Sequence, residues 1–141
     1  MSATDVENPY AVSLDERITR EHNQKVERAR FIYKVARDKF EDLEFEEAPK
    51  EVVDRAFKHK EHMRYLYRKE RRLKEVVSAH MNLIQVANWH TAVAANPDKP
   101  GTSWGMSEVE WAEHEVRHAR TRLAKAQKAL AETIGDIEKY F

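Results

Sequence analysis

Residues 49–97 read PKEVVDRAFKHKEHMRYLYRKERRLKEVVSAHMNLIQVANWHTAVAANP, and this stretch decides the fold. Within it Val52, Ala56, His59, Met63, Leu66, Glu70, Leu73, Val77, His80, Ile84, Ala87, Thr91 and Ala94 follow alternating steps of four and three, and nine of the thirteen are apolar. That spacing draws one stripe along a helix, and its seven-residue repeat predicts left-handed, coiled-coil-like packing. A helix over 49–95 is about 70 Å long at 1.5 Å per residue. Pro49 suits a first helical turn, where a missing N–H costs nothing. Asn96-Pro97-Asp98-Lys99-Pro100-Gly101 supplies the turn chemistry that ends the helix.

Two shorter helices are predicted on either side. Ser13-Leu14-Asp15-Glu16 spells a capping box, and Ile18, His22, Val26, Ala29, Tyr33, Ala36, Phe40 and Leu43 keep a helical phase until the acidic run Glu44–Glu47. Ser107-Glu108-Val109-Glu110 opens another, with Val109, Ala112, Val116, Ala119, Leu123, Ala126, Leu130, Thr133, Ile137 and Tyr140 in phase. Residues 1–12, with Pro9 and no periodicity, read as an arm. The expectation is an all-α chain, one domain over 13–141, with helices at about 13–45, 49–95 and 107–140. They are expected to fold antiparallel into an elongated coiled-coil-like bundle.

Composition agrees. Charged residues make up 35% of the 141 positions, against three glycines and four prolines, so helix formers dominate and turns are few. The absence of cysteine removes disulfides and thiolate metal sites, and suits a reducing, cytoplasmic setting. Met1-Ser2-Ala3-Thr4-Asp5 has neither the basic start nor the apolar run of a secretory leader. With no run of about 18 apolar residues, no membrane association is expected.

Formal net charge is zero, but the charges are segregated. Residues 17–40 carry a net +5 and 55–74 a net +7, whereas 41–54 carry −6. An antiparallel hairpin turning near 47 sets the two basic stretches side by side behind an acidic tip. On the long helix Lys60, Arg64, Arg68 and Arg71 form a stripe expected to lie opposite the Met63-Leu66-Leu73 face. Its functional reading is a contact surface for an acidic protein or for nucleic acid, and its bland reading a solvated face.

The segment Val76–Pro97 contains no Asp, Glu, Lys or Arg. A helix neutral nearly all round wants cover on more than one side, and the first helix is too short to reach beyond about residue 81. Leu83, Ile84, Val86, Trp89 and Val93, with Trp104 in the following loop, are therefore the expected self-association surface of a homo-oligomer. The alternative is cover from the arm and the Trp104 loop.

Within the core series Glu70 is the sharpest polar anomaly. Its expected neighbours are His22 and Lys25, a polar layer able to fix register. Glu115-Val116-Arg117-His118 has the Glu-x-x-His spacing of di-iron bundles, but the second such pair that a site needs is missing from the sequence. His59/His62 and His114/His118 are each one turn apart, without a third ligand in register. No phosphate-binding glycine loop or nucleophile elbow occurs. The expectation is a non-enzymatic assembly or adaptor protein with no cofactor and no metal. A nucleic-acid-binding helical module of packaging or condensation type is the alternative, and a metal-dependent helix-bundle oxidoreductase a remote one.

Overall fold

The computed structural model describes residues 14–96 and 105–141. These form three antiparallel helices and, among the described residues, no strand: α1 (Leu14–Phe45), α2 (Lys50–Ala94) and α3 (Glu108–Tyr140). The chain is all-α and elongated, as α2 alone holds 45 residues, about 68 Å at 1.5 Å per residue. The expected arm and the Ser13 cap lie outside the described residues.

Local chemistry sets the helix ends. Pro49, with φ −53° and ψ 141°, is the N-cap of α2 rather than its first helical residue and lends no side-chain bond. Ser107 caps α3 as its sequence predicts, its Oγ accepting from the Glu110 backbone N–H at 3.1 Å. Between α1 and α2 the chain turns through a Schellman motif. The Ala48 N–H reaches the Leu43 carbonyl at 3.0 Å and the Glu47 N–H the Glu44 carbonyl at 3.1 Å. That motif needs a left-handed residue, and here it is Glu47 at φ +54°, not a glycine.

The helices meet along two seams, both on α2. Toward α1, Tyr67 stacks on Tyr33 at 6.3 Å between centroids, and Phe57 tilts against Phe40 at 5.5 Å. Toward α3, Tyr65 meets Phe141 at 5.3 Å, His62 stacks on Phe141 at 4.7 Å, and His90 faces Glu113. Tyr65 and Tyr67 are two residues apart and so about 200° around the helix. The outer helices thus grip α2 from opposite sides, and no Cα of α1 comes within 8 Å of a Cα of α3.

This placement governs packing. With α2 between two neighbours, only small or medium side chains are buried among the described residues: Val26, Ala36, Ala79, Val93, Ala112, Val116, Ala119 and Thr133. No large side chain among the described residues falls below 2% exposure. The buried Thr133 hydroxyl is satisfied within its own helix, donating to the Ala129 carbonyl at 3.0 Å. Ion pairs contribute little to the seams. Those of Arg30, Arg37, Lys60, Arg64 and Arg72 link neighbours on one helix, and His90–Glu113 at 3.8 Å, between α2 and α3, is ionic only when the imidazole is protonated.

Candidate interaction surfaces

The seam between α1 and α2 is rotated from the one that periodicity alone predicts. The series through His59, Leu66, Leu73 and His80 lies on the rim: His59 and His80 are exposed, and Leu66 and Leu73 line an open groove. Beside it, Lys60 and Tyr67 make the ring contacts to α1. Lys60 therefore leaves the expected basic stripe. Its side chain is only 16% exposed, with Nζ 4.5 Å from the Phe40 ring centroid, 4.6 Å from that of Phe57, and 3.5 Å from a Glu61 oxygen. The ammonium is held by ring faces while its aliphatic stem fills the seam, so it behaves as a packing residue.

The rest of the stripe stays at the surface or near it. Arg64 is about half exposed and pairs with Glu61 at 3.5 Å. The Arg68 guanidinium lies 5.1 Å from the Tyr65 ring and that of Arg71 5.6 Å from Tyr67. Position-by-position reading missed the contribution of α3. Arg71, Lys74 and Arg122 line one cavity with Val26, Glu75 and Ser78, where all three helices approach. Arg122 and Lys125 line the cavity that adjoins it. A repeat of basic residues on α3 carries no signal that it will face α2, because only the antiparallel register brings 122 opposite 72–78.

The charge-free end of α2 divides between two roles. Val93 is 4% exposed and belongs to the contact within the chain, so it is not available as a self-association residue. With Ala79, also buried, it continues a heptad line through Tyr65, Arg72 and Val86 that faces α3. Part of the neutral character of 76–97 is thus explained by this second seam. Ile84 lies on the other side and is 48% exposed, while Leu83, Val86 and Trp89 are half-buried. Trp104 lies outside the described residues. Apolar exposure also extends along α1, at Leu14, Phe31, Ile32 and Val35. Ile32 joins Ala29, Met63, Leu66 and Leu73 in the α1–α2 groove, a cavity of about 400 Å³ rimmed by Lys25, Arg28 and Lys69.

Glu70 opens onto that same groove, beside Lys25 as expected but not beside His22. The Tyr33–Tyr67 pairing sets Glu70 opposite residues near 30, so His22 is roughly two turns, about 11 Å, further along α1. Glu70 Oε2 and His22 Nδ1 are each enclosed without a hydrogen-bond partner. The proposed polar pair does not form.

Among the described residues no three His, Asp or Glu side chains converge as a metal site. His118 is exposed while Val116 and Ala119 are buried, which turns the Glu115-x-x-His118 pair away from the seam. His114 and His118 stand edge to face at 4.6 Å beside Trp111. No described helix is long and apolar enough to cross a membrane. Comparisons with protein-family models, with curated proteins and with solved structures find no match to this chain.

Proposed function

We propose that this chain is a non-enzymatic assembly protein that associates with copies of itself along the open rim of the α1–α2 hairpin and presents a basic face to an acidic partner. One observation supports it above the others. The described residues bury no large side chain completely, while Leu14, Phe31, Ile32, Val35 and Ile84 are at least 42% exposed. Covering a large apolar side chain contributes roughly 1.5–3 kcal/mol, so a chain with this many on one rod gains from a neighbour.

A second copy fits the available surface. A strip one helix wide, 10–12 Å, and about 48 Å long, the length of the 32-residue α1, offers roughly 530 Å² per copy. That is about two thirds of the ~800 Å² per partner of a stable protein interface. A rod with one apolar rim pairs with itself by a two-fold axis, which closes the assembly.

Ile84→Glu tests the reading. Its position on the rim, outside the α3 seam, leaves helicity intact. In light scattering at tens of micromolar, the parent chain should give a multiple of the 16.6 kDa chain mass and the variant should shift toward a single chain. A strict monomer in the parent sinks the reading.

A further inference from the structure

We infer that the trough between α2 and α3 is a seat for the sugar–phosphate backbone of double-stranded nucleic acid. The inference deepens the basic face of the preceding section and rests on that half of it, not on self-association. Arg71 and Lys74 stand one turn apart on α2, and Arg122 and Lys125 one turn apart on α3. They line two adjoining cavities, of about 310 and 480 Å³, that share Glu75 and Arg122.

What these four cations share is that they line the two adjoining cavities from two helices without a carboxylate partner among the described residues. Arg30, Arg37, Lys60, Arg64 and Arg72 each have a carboxylate within 4.0 Å, and Arg71, Lys74, Arg122 and Lys125 have none among the described residues. The one acid in the trough, Glu75, is occupied by Arg72 at 3.2 Å. The Ser78 hydroxyl adds a neutral donor at the same cavity. Two guanidiniums and two ammoniums, none of them paired with a carboxylate among the described residues, match the bidentate and point-charge contacts that phosphates accept.

The lining chooses among polyanions. Its apolar members are the buried Val26 and the small Ala126 and Ala129, so it offers no protruding ring or aliphatic wedge for a bilayer. An acidic protein is gripped through aromatic anchors in closed pockets, and the trough holds none. An open channel with two rungs of cations instead follows a chain of evenly spaced phosphates, without reading the bases.

The test is anisotropy of a labelled random-sequence DNA duplex. If four phosphates are contacted, the log–log salt slope is about −3.5, and affinity falls roughly 100-fold between 50 and 200 mM salt. Arg122→Glu/Lys125→Glu should weaken binding at least tenfold and lower the slope by about 2. Arg17→Glu/Arg20→Glu, the same charge change on exposed α1 positions, should cost less than threefold. Circular dichroism checks folding, with Arg71→Gln/Lys74→Gln as a milder second pair. Light scattering of the trough variant should leave the assembly mass unchanged, which separates this outcome from failure of self-association. Equal losses in both double variants, no duplex binding, or tighter capture of polyglutamate or anionic phospholipid vesicles would each overturn the inference.

Discussion

The two seams of α2 solve the same problem with opposite materials. Against α3 the buried residues are Ala79, Val93, Ala112, Val116, Ala119 and Thr133, most of them small, so the helices close on one another with little between them. Against α1 the seam holds Tyr33 on Tyr67 and Phe40 on Phe57, with the Lys60 ammonium over both phenylalanine rings. Only Val26 and Ala36 of α1 are buried, and cavities of about 400 Å³ open along the hairpin. Along the α3 seam the small residues are buried and the cavity beside them is lined mostly by charged side chains, whereas the seam of rings and long cations leaves grooves lined largely by apolar ones. The grooved side is the one with exposed apolar surface to offer a neighbour.

The largest effect should come from testing spare volume directly. Ala112, fully enclosed on α3, has no room to grow. Ala112→Leu should destabilise the chain by about 1–3 kcal/mol, the usual cost of overpacking, seen as a lower midpoint in urea unfolding. Ala36→Leu, on α1, borders a cavity with Leu43, Val52 and Ala56 that can accept the added carbons. It should cost less than half as much as Ala112→Leu or raise the midpoint. Equal losses would mean that the two seams do not differ in packing.

A smaller loss is expected at the entry to α3. Ser107→Ala removes the acceptor for the Glu110 N–H and should cost about 1 kcal/mol, read in the same unfolding experiment. The smallest change should have the opposite sign and lies at the exit from α1. Glu47 takes the left-handed position at φ +54°, and it follows Asp42, Glu44 and Glu46 at a helix C-terminus whose dipole disfavours negative charge. Glu47→Gly removes both penalties and should stabilise by about 0.5–1 kcal/mol. A destabilised Gly variant would show that the Glu47 side chain contributes to the turn.

The sites were less legible than the fold. Apolar spacing marks where α2 is greasy, but it treats Lys60 as a solvent residue and His59 and His80 as core. In the structure ring faces and aliphatic stems reverse that assignment. Val93, buried in the structure, is indistinguishable by sequence from free surface, because a stripe facing α3 and a stripe facing a second molecule look identical there. Glu70 shares its groove with Lys25 but not with His22, because hairpin register depends on the turn at 46–48 and on which rings interlock. The basic trough was half visible: Arg71 stood out on α2, while Arg122 and Lys125 carried no signal until α3 was laid beside it.

The order of letters alone settled the three helices, their antiparallel course and the cap at Ser107. These follow from spacing, propline and turn chemistry, and hydrogen bonds within a few residues. Only the tertiary structure decided that α1 and α3 pack on α2 and not on each other, meeting only around the cavity that Val26 and Arg122 share. It also decided which rim stays open and which cations lack partners. Those are properties of distances between residues far apart in the chain, set by side-chain volume and register, which no local pattern encodes.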